Sequence, residues 1–367
     1  MPELLKDIYT PQFFEQFLQV VKKIIPDFNQ DSFLAAIHND GWDDKELKQR
    51  IRHIATTLND HLPHDYPGNL KAILSIISEL KNNGTKEDSL EYMFFPDFIE
   101  LYGLAHYDIS INAIEDITQF SSCEFAVRPF IITYKEEMME RILQWSNHEN
   151  AHVRRLASEG CRPRLPWAMA LPPFKKDPSP ILPILESLRD DPSEYVRRSV
   201  ANNLNDISKD HPELVKDIAK RWKGRSGETD SLVKHACRTL LKQGDREVMT
   251  LFGFGDVSHI AIHDLRILTP KVSAGGFLEF TFTLENTSDK PSKIRLEYGV
   301  FFQKANGTLS RKIFKISERV YPENSNTQIS KRHSFKKIST RRYYPGLHEV
   351  SVVVNGNVFG KGEFDYC

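Results

Sequence analysis

Glu159 and Asp206 are the side chains of this sequence best placed for chemistry, because each falls within an arginine-rich helical face. Projected at about 100° per residue, Val153, Leu156, Ala157 and Gly160 fall on one side of a helix, with His152, Arg155, Glu159 and Arg162 on the other. A second helix carries Val196, Val200, Leu204 and Ile207 as its apolar stripe and Tyr195, Arg198, Asn202 and Asp206 opposite. Cationic neighbours keep a carboxylate ionised. A permanently anionic group suits the stabilisation of a cationic transition state better than it suits proton donation. The plain alternative is a pair of solvated faces held by i,i+4 pairs such as Arg155–Glu159 and Glu124–Arg128.

These helices belong to a repeat. A polar turn followed by Val-Arg or Val-Lys recurs at Val153, Val196 and Val233, 43 and 37 residues apart, with a weaker copy at Phe125-Ala126-Val127-Arg128. Two-helix HEAT-type repeats run about 40 to 47 residues, so the spacing predicts a helical solenoid. The third copy places Lys234, His235 and Arg238 away from Val233, Cys237 and Leu240. Stacked repeats align such faces into one surface, and solenoids bind partners on their concave side. Arginines interleaved with Asn, Tyr and Trp suit a phosphate backbone with bases beside it.

With 367 residues the chain exceeds what one core supports, so at least two domains are expected. The apolar period changes near residue 255. Leu278, Phe280, Phe282 and Leu284 alternate with polar residues, as do Ile294, Leu296, Tyr298 and Val300, and turn signals divide the region into about seven short strands. This pattern predicts helical repeats over residues 1–255 followed by an immunoglobulin-like β-sandwich over 256–367. The overall charge of −1 conceals an asymmetry, since the predicted sandwich holds 17 Lys and Arg against 11 Asp and Glu, an excess of six. Much of it sits in Lys331-Arg332-His333-Ser334-Phe335-Lys336-Lys337-Ile338-Ser339-Thr340-Arg341-Arg342. Such a cluster either protects an edge strand or contacts a nucleic acid, and the sandwich's excess positive charge favours the second.

Cys123, Cys161, Cys237 and Cys367 form no Cys-x-x-Cys pair and His61-x-x-His64 lacks thiols nearby, so neither a metal nor a cofactor is expected, and reduced thiols of a cytosolic protein are the default. The amphipathic start around Phe13–Ile25 carries charges unlike a signal sequence, and no stretch is long enough to span a membrane. Seven prolines fall in the 21 residues from Pro163 to Pro183, which forbids a long helix there. Trp167 lies in that segment, either filling the core, as most tryptophans do, or held rigidly for a ligand.

The runs Val153-Arg154-Arg155-Leu156-Ala157-Ser158-Glu159-Gly160-Cys161-Arg162-Pro163-Arg164-Leu165-Pro166-Trp167-Ala168 and Tyr195-Val196-Arg197-Arg198-Ser199-Val200-Ala201-Asn202-Asn203-Leu204-Asn205-Asp206-Ile207 closely resemble the AlkC family of bacterial DNA alkylation-repair glycosylases. That family also joins HEAT-like repeats to an immunoglobulin-like domain, so the resemblance covers nearly the whole chain. It implies hydrolysis of the N-glycosidic bond of cationic alkylated bases, 3-methyladenine foremost, in double-stranded DNA. It further implies a monomer in the bacterial cytoplasm with no obligate protein partner.

By the same resemblance, Asp206 stabilises the sugar cation and orients water, Glu159 supports it, Glu124 is a third candidate, and Trp167 lies against the deoxyribose or the lesion. Arg155 and Arg162 would hold phosphates or fill the space in the duplex, and Phe125 would complete an apolar wall. Arg154, Arg198 and Asn202, with Lys336, Lys337, Arg341 and Arg342 of the sandwich, complete the expected DNA contacts. The family is thought to cleave without fully flipping the base. Two alternatives remain at this point: a non-catalytic HEAT scaffold for nucleic acid or protein, and an RNA-directed relative.

Overall fold

The structure, a computed structural model, describes residues 4–39, 41–87, 89–338 and 341–367. Ser339 and Thr340 of the basic cluster lie outside the described residues. The chain forms two compact units, Met1–His211 with Gly224–Ala236, and Pro212–Lys223 with Cys237–Cys367.

The first unit is helical throughout. Four of its helices begin where a side chain satisfies one of the backbone donors that every helix start leaves open. Thr10, Asn29, Asp65 and Asn150 each accept a backbone N–H of the following turn. The three strong repeat copies are the helices Ala151–Gly160, Glu194–Ile207 and Gly227–Ala236, with the second packed between the other two. Val153, Val196 and Val233, the residues that set the repeat, are all buried, as is the stripe Val200, Leu204 and Ile207. The weaker copy opens the helix Val127–Trp145, which kinks at Lys135. A Cβ on Gly160 would sit 2.6 Å from Val127 Cγ1, so the absent side chain is what lets these two helices meet. The proline-rich stretch admits the five-residue helix Pro172–Lys176 and a single 3-10 turn before its last proline opens the short helix Leu182–Leu188.

Among the described residues, the second unit combines the helices Pro212–Trp222, Arg238–Gln243 and Arg246–Leu251 with eight strands. These are β1 (Ile260–Ile267), β2 (Lys271–Val272), β3 (Phe277–Asn286), β4 (Ser292–Gln303), β5 (Leu309–Tyr321), β6 (Ser325–Ser334), β7 (Gly346–Val354) and β8 (Asn357–Tyr366). They form two sheets, ordered β1-β3-β6 and β2-β8-β7-β4-β5. The strand beyond the seven expected is β2, whose two residues are too few to show alternation. Leu278, Phe280, Phe282 and Leu284 face Ile294, Leu296, Tyr298 and Val300 across one sandwich core. Strand β4 is buried on its other side as well. There, Gly244 at the left-handed end of Arg238–Gln243 meets Gly356 of the β7–β8 turn backbone to backbone, and a Cβ on Gly356 would lie 2.4 Å from Gly244 Cα. Any side chain at either position would force the helix off the sheet.

Candidate active site

Helical packing brings the acidic and basic residues of successive repeats into one alternating row. Glu124, in the turn before Val127–Trp145, pairs with Arg155 and with Ser122. Arg155 Nη2 then lies 3.7 Å from Glu159 Oε1, which accepts from Arg162 Nη1 at 2.5 Å. Arg162 Nε donates to Asp206 Oδ2 at 2.9 Å, and Lys209 Nζ donates to Asp206 Oδ1 at 3.0 Å. Ser199 Oγ donates to Glu159 Oε2 at 2.6 Å. All four carboxylate oxygens of Glu159 and Asp206 are therefore bonded, and both side chains are buried. Glu124 and Arg155 are the more accessible members of the row. Burial alone would push the Arg155 guanidinium down, but Glu124 and Glu159 outweigh it and hold the group above its ordinary range.

This placement corrects several expectations drawn from the helical projection. Glu159, Arg162 and Asp206 do lie away from Val153 and Val196, but the neighbouring repeat covers them, so they are interior rather than exposed. Arg162 is clamped between two carboxylates and has no free edge for a phosphate. Arg154 is also committed: Nε and Nη2 reach Asp191 at 2.6 and 3.1 Å, and Nη1 donates to the carbonyls of His148 and Glu149. It fastens one repeat to the next turn instead of facing a ligand. The Glu124–Arg128 pair does not form. Arg128 is wholly buried and donates to Gly160 O at 2.8 Å and Met169 O at 2.6 Å. Burial pushes its guanidinium down to about 10, with nearby Asp206 and Glu159 opposing.

The other expected contacts stay accessible. Arg155 lies 5.2 Å from the Tyr195 ring, and Tyr195 is exposed. Arg198 is exposed along a cavity of about 560 Å³ between Glu194–Ile207 and Gly227–Ala236. Asn202 holds His235 at 3.0 Å. In the second unit Lys336, Lys337 and Arg342 are exposed. Arg341 differs, since its guanidinium lies 4.2 Å from the Phe302 ring centre and its Nε is buried.

Trp167 is 61 % exposed, so it does not fill the core. It sits at the tip of a loop tied down on several sides. Arg162 and Arg164 anchor one arm, on Asp206 and on Asp210. Arg128 holds the other arm at Met169, and Leu171 N closes the base on Pro163 O at 3.2 Å. Beside the tip, Lys48 Nζ donates to Trp167 O at 2.6 Å and lies 5.2 Å from the centre of the half-buried Phe125 ring. Lys48, Ser122, Ser199 and Lys209 were not singled out from the sequence. A polar residue two or three positions from a carboxylate was the only local signal for Ser122 and Lys209, and nothing local marks Lys48. Among the described residues no group of three or more His, Cys, Asp or Glu side chains is arranged to hold a metal. Cys123, Cys161 and Cys237 are buried free thiols.

A helical-repeat unit carrying this charged row, followed by an immunoglobulin-like sandwich, defines the class of the protein. The family described as "DNA alkylation repair enzyme" matches residues 48–240, and that described as "Uncharacterised protein YhaZ, C-terminal Ig-like domain" matches residues 261–366. The chain is 43 % identical over 363 residues to "Uncharacterized protein YhaZ" of Bacillus subtilis (strain 168), covering 99 % of each. It is 33 % identical, with a TM-score of 0.92 and complete coverage of both chains, to the solved structure of Pseudomonas fluorescens alkylpurine DNA glycosylase AlkC bound to DNA containing an abasic site analog. The chain belongs to the DNA alkylation repair enzyme family, with the AlkC architecture along its full length.

Proposed function

We propose that the protein is a DNA glycosylase that hydrolyses the N-glycosidic bond of bases made cationic by alkylation, with 3-methyladenine foremost. The observation that carries this reading is the row Glu124–Arg155–Glu159–Arg162–Asp206 near the exposed Trp167, in a chain similar throughout to an alkylpurine DNA glycosylase. A cationic base departs as a neutral molecule, so no general acid is needed. The sugar left behind develops oxocarbenium character, which fixed carboxylates stabilise.

In this mechanism Asp206 supplies the negative charge and orients the attacking water, and Glu159 supports it through Arg162. Glu124 is the most accessible of the three carboxylates and approaches the lesion directly. The Trp167 ring lies against the cationic base or deoxyribose, where an aromatic face attracts positive charge. Arg155, Arg198 and Asn202 contact the duplex, and Phe125 completes the apolar wall. Lys336, Lys337 and Arg342 add phosphate contacts from the sandwich. Neither a cofactor nor an obligate protein partner enters the scheme, and the enzyme acts as a monomer in the bacterial cytoplasm. Residues 1–255 act as the glycosylase domain and 256–367 as a DNA-binding accessory domain. No helix among the described residues is long and apolar enough to cross a membrane.

One observation favours the scaffold reading: each oxygen of Glu159 and Asp206 already has a cation or hydroxyl partner. Incubation with methylated duplex DNA, followed by chromatography of the released bases, separates the two. Release of 3-methyladenine supports the glycosylase, and tight binding with no free base supports the scaffold.

A further inference from the structure

Trp167 combines three properties that rarely coincide. It is bulky, it is largely exposed, and its φ is +66°, a left-handed conformation that residues with a Cβ disfavour. Packing of the indole does not impose that conformation, because the ring faces solvent. The loop's arms are fixed by Arg128, Arg162, Arg164 and the Leu171–Pro163 bond, while the tip contains only a long Ala168 N to Leu165 O contact of 3.4 Å. The group that reaches the strained residue itself is Lys48 Nζ, 2.6 Å from the Trp167 carbonyl and 119 residues away in sequence.

Lys48 is well suited to that task. It stands in the first turn of Leu47–His61, with its ammonium over Phe125 as well as on the carbonyl. Phe125 directly follows Glu124, so one cation ties the turn carrying an acidic site residue to the loop carrying the aromatic one.

We propose that Lys48 is a positioning residue that pre-sets Trp167 in its left-handed, outward-facing conformation before DNA arrives. This rests on the glycosylase reading for its consequence in catalysis, though not for its consequence in the free protein. Catalysis is sensitive to such placement, since displacing a group by about 1 Å can cost about a hundredfold in rate.

Of the four tryptophans, Trp42, Trp145 and Trp222 are buried, so the fluorescence accessible to iodide belongs to Trp167, and Trp167→Phe verifies the assignment. Lys48→Met removes the ammonium from an exposed position and should leave the fold intact. In the free full-length protein, the iodide-accessible component should gain rapid local depolarisation. Lys48→Arg, which restores a cationic donor, should return it toward wild type. In single-turnover excision from a methylated duplex, Lys48→Met should be about ten- to a hundredfold slower, with unchanged DNA affinity and unchanged salt dependence of binding. Unaltered depolarisation in Lys48→Met overturns the proposal. So does a loss confined to affinity with a shallower salt slope, which would make Lys48 a phosphate contact. If wild type excises nothing yet Lys48→Met frees the indole, the clamp is supported and the glycosylase reading falls.

Discussion

The two units differ in the polar groups they bury, although each holds a buried ion pair. The helical unit pairs acidic and basic side chains in a row, so that Arg162 sits between Glu159 and Asp206 with each oxygen satisfied. The sandwich holds the buried pair Arg295–Glu297 and adds buried histidines. His333 bonds the Tyr298 hydroxyl at 2.9 Å among Phe302, Phe314 and Phe335, and burial pushes it down to about 4. His348 is also pushed down by burial, although its bond to Tyr344 O opposes this. A buried charge is costly unless paired, whereas a neutral imidazole needs only a hydrogen bond or two. The difference suits the work proposed for each: a fixed electrostatic field requires charges held in place, while an accessory domain requires only a stable core.

The largest effect that could break this comparison comes from removing one charge of the row. Asp206→Asn should slow single-turnover release of 3-methyladenine by on the order of 10² to 10³, the usual loss of a well-placed electrostatic stabiliser. Because Asp206 is buried beneath Arg162 and Lys209, the same change should also cost about 3 kcal/mol of stability, read from denaturant unfolding. Glu159→Gln should act in the same direction, and the double mutant should lose less than the product of the two. A wild-type rate from Asp206→Asn would make the row purely structural, like the sandwich's own buried pair Arg295–Glu297.

The pH response distinguishes the units next. His333 has a folded pKa below its ordinary 6.5, so its contribution is fully present above that value and is lost as pH falls through about 4. Asp97 behaves in the opposite sense. Burial pushes it up to about 6, against the pull of Arg52 Nε at 2.8 Å, so its contribution is present below the ordinary 3.8 and lost as pH rises through about 6. Each is worth on the order of 3 kcal/mol at its limit. Hydrogen exchange read unit by unit should therefore find the sandwich weakening from pH 6.5 towards 4 while the helical unit gains. His333→Gln should flatten the sandwich's acid limb, leaving the part due to His348. Parallel profiles in both units would remove the contrast.

How much of this was legible in the sequence follows the same division. Local periodicity revealed both folds, because Val153, Val196 and Val233 recur at steps of 43 and 37 residues and β3 alternates cleanly. The grouping of Glu159 and Asp206 with arginines was legible too, but their burial was not. A projection of Ala151–Gly160 places Glu159 opposite Val153, yet only the packing of Glu194–Ile207 against that face encloses it. Arg154 and Arg155 read alike in the sequence, and only the fold sends the first to Asp191 and the second to Glu124. Lys48 was invisible because its partner is 119 residues away. Trp167 was the reverse case: the usual burial of tryptophan pointed to the core, and the prolines around it gave the better signal.

The smallest effect, and the sharpest for the sandwich, concerns its basic cluster. Lys336, Lys337 and Arg342 are exposed and can be reversed to Glu without touching the core, whereas Arg341 over Phe302 is part of the aromatic packing and should be left in place. Each lost phosphate contact lowers the log–log slope of affinity against salt by about 0.9, so the triple reversal should flatten the slope by about 2 to 3 if all three residues meet the backbone. Thermal unfolding should be nearly unchanged, which separates loss of contact from loss of fold. If the slope stays at its wild-type value while the variant begins to self-associate, the cluster guards a sheet edge instead, since unprotected strand edges pair with other chains. In that event all electrostatic contact with DNA would fall to the helical unit, and the sandwich's excess of six positive charges would need a different explanation.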